Sequence, residues 1–466
     1  MVRDVGGNQS VPFDEKRFYK EVGPISSPEL KMLPNVLPVE ASHSSLDIFE
    51  RPPLLITFDS SFEQKIGPLY APNGPTLEFE VTGDRTNFID LQNIYLEVKC
   101  KISKTDGSNL EYVAGTPAQQ EKPTFVNNTL HSLFSDCNIT ANGIKISSAN
   151  GNYAHKAFIE TEFSHNKEAK DTWLKCQGYT YESFTSTVFT NREQETRSSA
   201  IVSFIGKVAA DVFSCDKHLI SGVTLRISFL RTRPEFCLIY DADTKDYKVT
   251  ITQANLYVRK MTVADHVYTA IESTLTKMPA LYRYTETIPK TFLVSLNSQS
   301  WDQEDVFNRE PIRRFVIAMS TNGGFLGAKR TNPFHYQKFD LNSITVYRNG
   351  YPIAGTPLET DNDKKIYLNS LEALAFEQHG HGIPFADYSN HYLMVFDLTS
   401  TQQASHDYLH PELTNASISI SLRFSTALTD NTEIFLLGER ASTIYIDSSR
   451  KVSKNVFLNT QIDAKK

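Results

Sequence analysis

The chain has 466 residues, 40% of them apolar and 22% charged, with a formal net charge of -7. That length exceeds what one growing core accommodates, so two domains are expected, and the composition excludes a disordered chain. The mild acidity gives no reason to expect a nucleic-acid-binding surface, whose usual mark is a clustered basic excess.

Residues 1–50 are rich in Pro, Ser and charge without a sustained period, and are read as an N-terminal arm. In it Arg3, Lys16, Arg17, Lys20 and Lys31 are outnumbered by Asp4, Asp14, Glu15, Glu21, Glu29, Glu40, Asp47 and Glu50, so it is not a genome-binding tail. The first residues lack the apolar run of a secretory signal, and no stretch reaches 18 apolar residues, so no membrane span is expected. Five cysteines, Cys100, Cys137, Cys176, Cys215 and Cys237, are too sparse for a disulfide framework and are read as reduced and mostly buried.

From Leu54 the pattern changes to a period of two. Leu77, Phe79 and Val81 alternate with Glu78, Glu80 and Thr82, and Ile94, Leu96, Val98, Cys100 and Ile102 alternate with polar or aromatic residues. Val223 to Phe229 and Ile418 to Phe424 repeat the pattern. Successive strand side chains point to opposite faces, so these are half-buried antiparallel strands of a sandwich. Asn-Gly recurs at Asn73, Asn142, Asn150, Asn322 and Asn349, each a hairpin signal because both residues tolerate positive φ. Helical patterns are few: one covers Asn152–Leu174 and another Leu368–Gln378.

Three short elements recur in the same order. The turn at Gly143 resembles that at Gly350, the strand at Leu225 resembles that at Leu422, and the strand at Tyr257 resembles that at Tyr445. Offsets that drift by about ten per element fit a duplication with loop insertions. The fold expected is therefore all-β, two tandem eight-stranded antiparallel jelly rolls with short helical insertions. The expected units are an arm (1–50), a first jelly roll (51–265), a linker (266–280), a second jelly roll (281–450) and a C-terminal tail (451–466).

Candidate chemistry is thin. His379 and His381, with Asp387 and His391 nearby, resemble the H-x-H of metal-binding cupins, but Phe385 and Ala386 stand where the carboxylate belongs. Cys215 and His218 form the closest thiol–imidazole pair, yet three residues apart on a strand they face opposite ways. Asn322-Gly-Gly324 with Lys329 and Arg330 could cradle a phosphate, but is better read as a hairpin loop. Arg313–Arg314 and Arg450–Lys451 read as solvated basic pairs. No catalytic, metal or cofactor residue is assigned, and no enzyme is expected. Two alternatives stay open: a carbohydrate- or protein-binding β-sandwich, and a cupin-like metalloenzyme resting on His379 and His381.

The stretch FIDLQNIYLEVKCKI (88–102), then VNNTLHSLFSDCNITANG (126–143), GNYAHKAFIET (151–161) and KEAK (167–170), resembles blocks in the same order in the major capsid proteins of Polinton (Maverick) elements and adintoviruses. The likeness covers about 80 residues of the first half closely; Thr140, Ala141, His165 and Asn166 depart from it. It implies a double jelly roll, a homotrimeric capsomer of pseudo-six-fold outline and an icosahedral shell around double-stranded DNA. The implied partners are further copies of the chain, a single-jelly-roll penton protein and other minor capsid proteins. The implied location is the virion, after synthesis in the host cytoplasm, with nuclear assembly left open.

Overall fold

The computed structural model describes residues 58–84, 86–112, 121–181, 192–240, 246–353, 356–360, 363–374, 383–399, 404 and 416–456. The expected arm, His379, His381 and the end of the expected tail lie outside the described residues.

Among the described residues, sixteen strands form the main paths of the sheets of two sandwiches. The first uses β1 (Phe58–Ile66), β2 (Thr76–Val81), β3 (Asn87–Lys104), β4 (Phe134–Ala141), β5 (Ile144–Ser147), β6 (Val202–Lys207), β7 (Leu225–Arg231) and β8 (Tyr247–Val263). The second uses β9 (Ala280–Val294), β10 (Ser300–Gln303), β11 (Arg314–Thr321), β12 (Leu341–Arg348), β13 (Tyr351–Pro352), β14 (Leu393–Asp397), β15 (Ile418–Phe424) and β16 (Thr432–Ile446). The alternation seen in the sequence sets the faces: in β2 and β15 every second side chain is buried.

The sheets are β1-β8-β3-β6 and β2-β7-β4-β5 in the first half, β9-β16-β11-β14 and β10-β15-β12-β13 in the second, all antiparallel. Numbered within its own half, each sandwich pairs its strands in the same order, 1-8-3-6 and 2-7-4-5. That order is a jelly roll, and it occurs twice. Leu77, Phe79, Ile94, Leu96, Ile227 and Phe229 feed one core, and Ile317, Ile344, Leu393, Leu422 and Leu436 another.

The three recurring elements fall on equivalent strands, with one correction. Asn142 and Thr224 exchange two hydrogen bonds across the turn and the strand entry, and Asn349 does the same with Ser417. Leu225 therefore corresponds to Ile418, not to Leu422. A four-residue slip keeps every side chain on its face, so alternation alone cannot set the register.

Four further corrections concern local elements. Of the five Asn-Gly pairs, Asn142–Gly143 and Asn349–Gly350 make the two-residue hairpins, whereas Asn322–Gly323 opens a short helix. The helix expected over Asn152–Leu174 is α1 (Tyr153–Ser164) and stops where His165 turns extended. A new short helix, Lys167–Asp171, starts there with Asn166 accepting from the Ala169 N–H at 3.0 Å. Residues 452–456, within the span read as a tail, form a strand against Ser442–Ile446 of β16. Helix α2 (Asp265–Leu275) lies between β8 and β9, and α3 (Asp363–Ala373) begins five residues before the expected Leu368.

Candidate functional site

In an antiparallel sandwich, successive connections emerge at alternate ends. The 1–2, 3–4, 5–6 and 7–8 connections of both halves share one end, and the short Asn-Gly hairpins lie at the other. The long insertions, between β3 and β4 and between β5 and β6 in the first half and between β11 and β12 and between β13 and β14 in the second, all leave from the first end. They pack together: Gln177 Nε2 donates to Asn128 Oδ1 at 2.9 Å, and the Tyr181 hydroxyl donates to Asp387 at 2.7 Å.

Helix α1 is the centre of this end. It belongs to the first half, yet Ala154, Phe158 and Ile159 are part of the second core. Nine of its residues are buried, including His155, Lys156 and Glu162. A helix buried on all sides must satisfy its polar side chains internally, and this one does so across the junction. The His155 ring stacks on Phe325 at 3.9 Å between centroids. Its Nε2–H donates to the Phe325 carbonyl at 3.1 Å, so Nδ1 accepts from the Tyr336 hydroxyl at 2.9 Å. Burial pushes this imidazole down to about 4, so it is neutral. Phe158 stacks on Phe334 at 4.4 Å.

Two buried ion pairs flank the stack. Lys170 Nζ lies 2.6 Å from Glu162, whose other oxygen accepts from the Tyr179 hydroxyl at 2.6 Å. Lys156 lies 2.7 Å from Asp211 and 3.4 Å from Glu160. Asp211 accepts in turn from the backbone and hydroxyl of Thr287 on β9, tying the 6–7 connection of the first half to the second. Burial pushes the Glu160 carboxyl up to about 7, with Lys156 opposing.

At the opposite end the turn after β16 clasps the first half. Arg450 Nε donates to the Ser221 carbonyl at 2.7 Å, its guanidinium pairs with Glu272 of α2, and its own carbonyl accepts from Asn142 Nδ2 at 2.8 Å. Arg450 is thus not part of a solvated basic pair. Nor are Arg313 and Arg314: Arg314 makes a bidentate pair with Glu439 at 2.8 Å, and Arg313 donates to the Thr285 hydroxyl at 2.7 Å. The opposing carboxylates are distant in sequence, so an isolated Arg-Arg gave no sign of them.

The remaining candidates are structural. Cys215 follows a 3-10 turn, Asp211–Ser214, and not a strand as expected; burial raises its thiol pKa, the direction away from a nucleophilic thiolate. His218 Nδ1 lies 3.9 Å from Asp90. Gly324 donates to Thr321, which caps the short helix Asn322–Leu326; strand β11 thus runs straight into a helix, where a hairpin loop was expected. Lys329 pairs with Asp246 at 2.6 Å. Gly327, at φ +89°, abuts Phe236, where an added Cβ would lie 2.5 Å from its Cα. Asp387 accepts from the Tyr181 hydroxyl at 2.7 Å and His391 stacks against Phe158 and Tyr181. Among the described residues no group of three His, Cys, Asp or Glu side chains could hold a metal ion, and no helix is long and apolar enough to cross a membrane.

Several large apolar side chains are exposed. The 1–2 connection of the first half presents Leu69 and Tyr70, and the end of β9 with the connection after it presents Leu293 and Leu296. The hairpin residues Ile144 and Tyr351, each directly after an Asn-Gly turn, are exposed too.

No family model and no curated protein matches the sequence. Solved structures do match the fold. A chain of the Sputnik virophage aligns with a TM-score of 0.63 at 10% identity, covering 92% of this chain and 96% of that one. The mavirus major capsid protein aligns with a TM-score of 0.51 at 10% identity over 99% and 98% of the two chains. A chain of the PBCV-1 virus capsid aligns with a TM-score of 0.51 at 9% identity over 89% of this chain and all of the other. The chain therefore has the double jelly-roll fold shared with these viral capsid proteins.

Proposed function

We propose that this chain is the major capsid protein of a double-stranded DNA virus or virus-like element of the Polinton and adintovirus kind, with a structural and not a catalytic role. The observation that carries this reading is the duplicated strand order, 1-8-3-6 with 2-7-4-5, in two sandwiches locked side by side. Two like wedges per chain and three chains per ring imitate a hexagon, a shape that tiles a shell with three protein copies per tile. The likeness to the mavirus major capsid protein along nearly the whole of both chains supports it. The long insertions gathered at one end provide loops for towers, while Leu69, Tyr70, Leu293 and Leu296 offer apolar area for neighbouring copies.

On this reading the partners are other copies of the chain, a penton protein with a single jelly roll and minor capsid proteins, and the protein resides in the virion. The test is the mass and outline of the purified protein. Three chains of 52.6 kDa give a particle of about 158 kDa with hexagonal outline by negative-stain electron microscopy. A chain that stays monomeric at micromolar concentration would end the proposal.

A further inference from the structure

Between helix α1 and the outer face of the second sandwich lies a cleft of about 420 Å³, a volume suited to a few peptide residues. Both halves line it: Glu160 and Trp173 from the first, Thr285, Arg313 and Glu439 from the second, with Lys207 at the end of β6. Its charges are unevenly used. Asp211 and Glu160 share Lys156, and Glu439 is held bidentately by Arg314. Every carboxylate of the cleft therefore already has a cation, while two cations remain under-used. Arg313 reaches Glu439 only at 3.9 Å and donates to Thr285, and its Nε is buried with no hydrogen-bond partner. Lys207 makes no ion pair among the described residues, its amine resting 5.9 Å from the Tyr95 ring. A guanidinium has five N–H donors, so Arg313 keeps donor capacity beyond Thr285 that a visiting carboxylate could use. Beside these groups the Trp173 indole is 44% exposed, an apolar platform in a wall of polar residues.

We propose that this cleft docks an acidic, extended segment of a partner protein, its carboxylates meeting Arg313 and Lys207 and an apolar side chain resting on Trp173. The proposal is independent of whether the chain builds a shell.

A fluorescein-labelled hexapeptide alternating aspartate and phenylalanine serves as the probe, followed by fluorescence anisotropy on the full chain. Binding weakens about tenfold or more in Arg313→Gln and in Lys207→Gln, as expected for loss of a charge-assisted contact, and about equally when asparagine replaces aspartate in the probe. Lys65→Gln, an exposed lysine on the same sheet as Lys207, binds as the wild type does. Lys207 is itself exposed, so Lys207→Gln keeps the test decisive if Arg313→Gln fails to fold. Equal affinity for the aspartate and asparagine probes, or no loss in Lys207→Gln, would overturn the proposal. Strong competition by a synthetic peptide of residues 32–50 of this chain, relative to its scrambled form, would assign the cleft to the chain's own segment and overturn the partner.

Discussion

Asn142 and Asn349 hold the same post in the two halves. Each is the first residue of a two-residue turn, at φ 45° and 51°, and each is followed by a glycine at φ 82–83°. Each exchanges two hydrogen bonds with the residue entering the seventh strand: Asn142 with Thr224, Asn349 with Ser417. They differ in one respect. Asn142 also donates to the Arg450 carbonyl, which fastens the first turn to the second half; Asn349 has no such bond among the described residues.

Replacing each asparagine with glycine preserves the left-handed backbone and removes only the side-chain bonds. Asn349→Gly loses the bond to Ser417, whereas Asn142→Gly loses those to Thr224 and Arg450. Asn142→Gly should therefore lower stability by roughly 1 kcal/mol more than Asn349→Gly, measured by urea unfolding. Equal losses would mean that the Arg450 bond contributes nothing.

Lys170 and Glu162 are fully buried and satisfied by each other and by Tyr179. Removing one member leaves an uncompensated charge, so Lys170→Met should destabilise by about 3–5 kcal/mol. Lys170→Met combined with Glu162→Gln should recover part of that loss, because the lone buried carboxylate is gone. Thermal unfolding of the single and double variants reads the difference.

His155→Phe keeps the stack on Phe325 but leaves the Tyr336 hydroxyl and the Phe325 carbonyl unpaired, a loss of roughly 2–4 kcal/mol. It should also change the pH dependence. The folded imidazole titrates at about 4 against an ordinary 6.5, so its stabilising contribution is complete above 6.5 and is lost as pH falls toward 4. His131 is held down to about 4 by the same burial, and His165 and His335 are lowered too, so the variant should retain part of the acid slope. Denaturation midpoints between pH 7 and 4 provide the check.

Glu160 acts in the opposite sense. Its carboxyl is raised from 4.5 to about 7, so the folded state holds a proton that the unfolded chain has released. Its contribution is complete below 4.5 and is lost as pH rises through 7. Glu160→Gln should flatten this window by roughly 1 kcal/mol, the side chain being partly open to water. A variant whose pH profile overlays the wild type would show that Glu160 is ionised throughout.

The strands were legible because a sandwich strand writes its two faces into alternate residues, as Leu77, Phe79 and Val81 do. The hairpins at Asn142 and Asn349 were legible because turn chemistry is local. Register was not: moving Leu225 from Ile418 to Leu422 preserves every buried face, and only the Thr224 and Ser417 bonds distinguish the two. The basic pairs at Arg313 and Arg450 were misread for a related reason. Their carboxylate and carbonyl partners, Glu439, Glu272 and Ser221, are distant in the chain, and a guanidinium's burial depends on what folds over it.

Alternation, turn dipeptides and the collinear repeats were enough to determine two β-sandwiches from the amino-acid order alone, since each rests on contacts between near neighbours. Tertiary structure decided that α1, seemingly an insertion of the first half, supplies Phe158 and His155 to the second. It also brought Arg313, Lys207 and Trp173 to one cleft. Such juxtapositions arise when the two halves pack side by side, and no local pattern encodes which distant segment will be there.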